Sequence, residues 1–257
     1  MVKKHFVLQS LRQVITRLKI RQPTKELSIL LPAYNEAHQI ERCLLEVEKA
    51  VKAITHSYEI IVSEDGSSDC TAAIVSTMGK SNPNIVLLHS STRLGKGKAI
   101  KNALASSNGK FLAFMDVDLA TDLSCLPKLL SVVKANGGMA IGSRHVEGSH
   151  VERSVSRTLF SLTYNILVRL LFLDGIRDHQ CGFKMMSRQL AEVILCSSKS
   201  DGYFFDTEMI VRCKKLGFPV QEVPVNWQEK NKGNSKVNPV RDSKKICLDM
   251  LTFRFNL

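Results

Sequence analysis

The feature that most constrains this chain is an alternation running from about residue 26 to residue 118. Four apolar runs, "ELSILLPAY", "YEIIVSEDGS", "NIVLLHS" and "KFLAFMDVD", are separated by segments with apolar residues at helical spacing. In 37–54, Ile40, Leu44, Val47, Val51 and Ile54 share one helix face. "SDCTAAIVSTM" predicts a short second helix with Ser68 or Asp69 as its N-cap, and "GKGKAIKNALASS" a third, opened by glycine. Continuous apolar strands leave no face for water, so strands and helices in this order predict an α/β fold whose mostly parallel central sheet is covered on both faces. Ligands of such sheets bind beyond the carboxyl ends of the strands. The unusual polar residues lie there: Pro32 to Glu36, Glu64 to Asp69, and Asp116 to Asp118.

The rhythm changes after residue 144. The pattern predicts a long helix over 154–173, a turn and short strand in "DHQCGFKMMSR", helices near 187–198 and 205–216, and an edge strand in "PVQEVPVNW". A basic loop from Lys230 then leads to a helix near 242–255. Residues 1–26 read as a separate unit, a basic amphipathic helix ended near Pro23, for which docking onto its own domain and lying in a membrane surface are both open readings. The division expected is therefore 1–26, a main domain over 27–229, and a basic loop with an amphipathic helix over 230–257.

The formal charge of +12 calls for an anionic partner. Aromatic content of 6% without interleaved basic residues disfavours nucleic acid, leaving a phosphorylated substrate and a membrane surface. Seven scattered cysteines without a C-x-x-C pair read as reduced packing thiols, and the seven histidines have no zinc spacing. No apolar run reaches the roughly 20 residues of a spanning helix.

Asp116 and Asp118 close the fourth strand as an Asp-x-Asp, a pattern that can offer two carboxylates to Mg²⁺ or Mn²⁺, whose coordination is completed by substrate phosphates. Asp65, before Gly66, can accept hydrogen bonds from a base or ribose. Lys96, between two glycines at a helix start, suits a diphosphate. Asp122 reads as the N-cap of the next helix. The arginines at 153, 157, 169 and 177 border an apolar stripe, for which core packing is the favoured reading and bilayer contact the alternative.

"LPAYNEAHQI", "SEDGSSDCT", "LGKGKA", "MDVDL", "GSR" and "RDHQCGFKMMSR", in this order, resemble family 2 glycosyltransferases of the nucleotide-diphospho-sugar transferase (GT-A, Rossmann-like) fold. Within that family "GIRDHQCGFK", "FFDTEM" and "VPVNWQEKNKGNSKV" are similar to dolichyl-phosphate β-glucosyltransferases, whereas the related mannose synthases usually carry Ser-Gly-Phe-Arg where this chain has Cys181 to Lys184. The resemblance implies an inverting, metal-assisted transfer of a hexose, glucose from UDP-glucose, onto a dolichyl or polyprenyl phosphate at the cytoplasmic side of a membrane. It implies that Pro32, Tyr34, Glu36, Asp65, Lys96, Asp116, Val117 and Asp118 line the nucleotide-sugar site, with Asp116 and Asp118 holding the metal. Arg144, Arg157, Gln180 and Lys184 would receive the acceptor phosphate. Asp206 and Glu208 are candidate bases, with a capping or orienting role favoured. Transfer from GDP-mannose, transfer to a sugar or protein hydroxyl, and a non-catalytic basic binding module remain the alternatives.

Overall fold

The computed structural model describes residues 21–230 and 239–255, without the side chains at 155–157, 160 and 239–244. Most of the expected N-terminal helix, residues 1–20, lies outside the described residues, and Lys25 and Glu26 already belong to the first strand. In chain order the strands are β1 (Lys25–Ala33), β2 (Tyr58–Asp65), β3 (Ile85–Ser90), β4 (Gly109–Phe114), β5 (Met139–Ser143), β6 (His150–Glu152), β7 (Lys184–Ser187), β8 (Val220–Pro224) and β9 (Asn226–Gln228). The helices are α1 (Ile40–Lys52), α2 (Thr71–Ser81), α3 (Lys96–Ser106), α4 (Leu126–Asn136), α5 (Val155–Phe172), α6 (Arg188–Ser197), α7 (Phe205–Lys215) and α8 (Pro239–Phe255).

The main sheet has the order β3-β2-β1-β4-β7-β5-β8. Its pairs are parallel except around β7, which runs antiparallel to both β4 and β5. The carboxyl ends of β1, β2, β4 and β5 therefore share one edge with the start of β7. Alternation along each strand feeds two cores. Leu27, Ile29, Leu31, Phe111 and Ala113 pack with α1, α2 and α4, while Leu30, Leu112 and Phe114 pack with α3, α6 and α7. A third cluster joins α5 and α8 through Val168, Phe204, Val211, Met250 and Phe253.

Several boundaries differ from the sequence pattern. The fourth strand stops at Phe114, so both acids sit in the following turn, where Leu119 has a φ of 49°. The N-cap position of α2 is Cys70, yet Asp69 accepts from the Thr71 amide at 2.9 Å and from the Ala37 amide at 3.0 Å. Asp122 caps a short 3-10 turn, accepting from Ser124 N at 2.7 Å, and α4 follows. The expected edge strand is two strands: β8 is the edge of the main sheet, and past Pro224 the chain crosses to pair β9 with β6.

Leu112 is fully buried between β4 and the α3/α6/α7 layer. Leu112→Ala is expected to lower stability by about 2–5 kcal/mol through lost burial and a residual cavity. Urea titration would register this as a lower midpoint at unchanged slope.

Candidate functional site

A close approach of two helices brings an acid and a lysine together at the strand edge. Position 97 in the first turn of α3 must be glycine: a Cβ there would stand 2.7 Å from the Phe205 Cβ and 2.8 Å from the Gly202 carbonyl oxygen. Its absence lets the start of α3 touch the start of α7. Lys96 and Asp206, from two helices far apart in sequence, thereby meet below the strand ends.

The result is a chain of alternating charge. The Lys96 ammonium donates to Asp116 Oδ1 at 2.8 Å and lies 3.4 Å from Asp206 Oδ2. The other oxygen of Asp206 accepts from Lys184, whose ammonium also donates to the Cys181 carbonyl at 2.7 Å. Burial alone would raise the Asp116 pKa, but Lys96, Lys184 and Arg144 outweigh it and hold that carboxyl below its ordinary value. Burial would likewise lower Lys96, and the two carboxylates overcome it, raising its pKa. Asp118 is compensated less: burial, then Asp116 and Glu36, push its carboxyl upward, against a 3.0 Å bond from the Ala120 amide and the pull of Lys96.

That imbalance fits a divalent cation. A carboxylate crowded by two other acids is where a hard cation restores the charge balance, and oxygen donors suit Mg²⁺ or Mn²⁺. Among the described residues no three His, Cys, Asp or Glu side chains are arranged to hold an ion by themselves. The remaining ligands would come from a bound anion and water.

Around this centre the strand-end loops are tied to one another. Asp65 accepts from the amides of Leu94 and Gly95 at 2.7 and 2.9 Å, so it organises the loop before α3. A carboxylate has about four acceptor sites, so two amides do not exhaust it. The Arg93 guanidinium lies 4.0 Å over the ring of Tyr34. Glu36 donates its amide to Thr71 Oγ1 and accepts from Gln39 through its side chain. Pro32 pairs with Ser63 at the end of β1, and Val117 is a core residue between the two acids.

Arg144, at the end of β5, is clamped by Asp178 through Nε at 2.7 Å and Nη2 at 2.8 Å. Asp178 also accepts from the amides of Arg144, Gln180 and Cys181. Burial would raise Asp178, and Arg144 reverses that, leaving its pKa well below the usual range. The Arg157 side chain lies outside the description.

Two expectations need correction. Lys184 is not open to solvent: its side chain is 0% exposed, its ammonium is committed to Asp206 and the Cys181 carbonyl, and it lies 5.1 Å from the Phe114 ring centre. Asp206 and Glu208 do not cap α7. Asp206 belongs to the charge chain, whereas Glu208 accepts from the amides of Lys199 and Ser200 and from Arg212. Asp178, Arg93 and Gly182 were not singled out from sequence; the first and last stand inside "RDHQCGFK", where nothing local distinguishes them.

Helices α5 and α8 carry a further correction. Leu159, Leu162, Ile166, Leu167 and Leu170 of α5, with Leu173, form an exposed stripe rather than core, as do Leu248, Leu251 and Phe255 of α8. Leu173 is 85% and Phe255 87% exposed. Phe253 of α8 turns inward, against Phe172 and Phe204. Arg254 donates to the Leu171 carbonyl, which ties the end of α8 to the end of α5. No described helix is long and apolar enough to cross a membrane.

Residues 28–195 match the sequence model of glycosyl transferase family 2. Glycosyltransferase AglD of Haloferax volcanii is 39% identical over 220 residues, which are 84% of this chain and 35% of that protein. The chain thus spans about a third of that relative's length. The dolichyl-phosphate beta-glucosyltransferase of Dictyostelium discoideum is 35% identical, over 89% of this chain and 74% of its own. Its Homo sapiens namesake is 34% identical over 80% and 68%. Among solved structures, Mycobacterium tuberculosis glucosyl-3-phosphoglycerate synthase, in complex with Mn²⁺, UDP and glucosyl-3-phosphoglycerate, superposes with a TM-score of 0.64 at 19% identity, over 96% of this chain and 83% of that one. The fold is therefore the GT-A glycosyltransferase fold, as its sheet implies.

The clamp on Arg144 has a measurable consequence. Asp178→Asn leaves a guanidinium buried without its counter-ion and is expected to cost about 3–5 kcal/mol of stability at neutral pH. Because the folded pKa of Asp178 is depressed, its contribution is present above the ordinary aspartate value and is lost as the pH falls below it. Denaturation at pH 7 and at pH 3 should show the gap between parent and variant narrowing in acid.

Proposed function

Because the chain belongs to glycosyl transferase family 2, we propose that it moves glucose, with inversion, from UDP-glucose to the phosphate of dolichyl or another polyprenyl phosphate at the cytoplasmic face of a membrane. The observation that carries the reading is the pair of carboxylates, Asp116 and Asp118, in the turn after β4, with the Lys96 ammonium 2.8 Å from Asp116, at the strand edge where this fold class binds ligands. The names of the relatives support the acceptor and the sugar, and the Mn²⁺ and UDP of the structural neighbour support the donor side.

Asp118, with Asp116, would hold Mg²⁺ or Mn²⁺, which when bound stabilises the negative charge that gathers on the diphosphate as the sugar leaves. Lys96, paired with Asp116 at 2.8 Å, would add its charge to the same region. A single unit-charge contact at 4 Å is worth about 4 kcal/mol at an effective dielectric of 20, so these groups act on the barrier directly. Tyr34, Glu36 and Asp65 would take the nucleoside beside them.

The acceptor chemistry agrees with what the acids are doing. A phosphate monoester has a second pKa near 6 and attacks as an anion at neutral pH without a general base. Asp206 and Glu208, the acids considered for that task, are both committed to other groups. Arg144, held rigid by Asp178, would position the lipid phosphate.

The bilayer is the surface that best suits the stripes of α5 and α8. Apolar side chains exposed along adjacent helices, bordered by Arg169 and Arg254, fit an interfacial layer with anionic head groups. This would deliver the lipid phosphate on the Arg144 side.

Asp116→Ala and Asp118→Ala are each expected to lower transfer by at least about a hundredfold with thermal stability retained. A panel of UDP- and GDP-sugars with polyprenyl phosphate and Mn²⁺ identifies the donor, and full activity in either variant would remove the mechanism. Replacing Leu159, Leu170 and Phe255 together by Glu should abolish flotation with vesicles containing phosphatidylserine. A variant that floats unchanged, or a parent that instead dimerises through this face, would exclude bilayer docking.

A further inference from the structure

Resting on that donor-site reading, we infer that the turn Cys181–Lys184 serves the donor: Gly182 and Lys184 are positioning residues that set Asp116 and Lys96, not ligands of the acceptor phosphate. The register of the antiparallel pair β4–β7 places Phe114 opposite Lys184. The chain leaving β4 toward Asp116 therefore runs beside the chain entering β7 from Gly182. The Asp116 carboxylate lies directly on the Gly182 backbone. A Cβ at position 182 would stand 1.8 Å from Asp116 Oδ2 and 2.4 Å from its Cγ, so no side chain fits there while Asp116 keeps its place.

Two residues on, Lys184 completes the seat from below. Its ammonium is tied to the Cys181 carbonyl and to Asp206, and the second oxygen of Asp206 faces Lys96. Asp116 is thus fixed on one side by the bare backbone of Gly182 and on the other by the Lys96 ammonium at 2.8 Å. Lys96 in turn keeps its direction because Asp206 is anchored to Lys184. A phosphate arriving from solvent would have to displace a buried carboxylate to reach Lys184, whereas a diphosphate at Asp116 meets the outer end of this chain.

Calorimetric titration of UDP in the presence of Mn²⁺ reads the donor side without any acceptor. Gly182→Ala and Lys184→Met are each expected to weaken that binding by at least about tenfold. In transfer assays the donor KM rises while the KM for a short-chain polyprenyl phosphate stays within about twofold. Lys184→Arg, which keeps the charge on Asp206, should restore most of the affinity. Gly137→Ala controls for general loss of stability: its φ is +68° and no atom lies within 4 Å of a Cβ there, so it should lower Tm and leave UDP binding intact. If Lys184→Met does not fold, Gly182→Ala still decides the question. Parent-like UDP·Mn²⁺ affinity in Gly182→Ala, or a raised acceptor KM with unchanged UDP binding in either variant, would overturn the inference. Failure of the parent itself to bind UDP with Mn²⁺ would instead sink the donor reading beneath it.

Discussion

The structure depends on a row of alternating charges that begins inside the protein and ends at the strand edge: Lys184, Asp206, Lys96, Asp116. Taking Lys184 and Asp206 out of water is costly, and each is tolerated because the other carries the opposite sign, while Asp116 at the outer end keeps contact with solvent. The row joins the antiparallel strand β7, the starts of two helices and the turn after β4, so it couples the fold to the site. Beyond its outer end lies Asp118, where burial, Asp116 and Glu36 outweigh the Ala120 amide and Lys96 and push the carboxyl upward. An imbalance of that sign at that place is what a nucleotide diphosphate with its cation would resolve.

The same accounting separates two basic regions that look alike in sequence. Lys184 is buried and committed, so its charge acts through Asp206. Arg144 is also paired, but its partner Asp178 is itself held by three backbone amides. That arrangement makes Arg144 a rigid group rather than a mobile one. Elsewhere the unburied leucines of α5 and α8, bordered by Arg169 and Arg254, give the molecule an apolar flank with a cationic rim, a combination suited to a phosphate carried on a hydrocarbon chain.

Much of this was legible in the residues. The sheet, its helices and the edge bearing the ligand site follow from apolar periodicity and from where acids interrupt it. The grouping of Asp116, Asp118, Lys96 and Asp65 near that edge follows from strand direction alone. The split of the edge segment at Pro224 and the turn after Phe114 did not follow, because an apolar run does not reveal where its backbone pairing stops. The tail residues Leu248, Leu251 and Phe255 were harder still. Apolar periodicity tells that a helix has an apolar face, and says nothing about whether another element covers it.

By itself the sequence determined an α/β chain with its acids gathered at the carboxyl ends of parallel strands, since side-chain period and strand polarity are local properties that sequence spacing encodes. Only the tertiary structure decided that Lys184 turns inward to Asp206, that Gly182 is the floor under Asp116, and that the leucines of α5 face outward. Those outcomes hang on contacts between residues distant in the chain, where burial and charge compensation select a partner that no local pattern names.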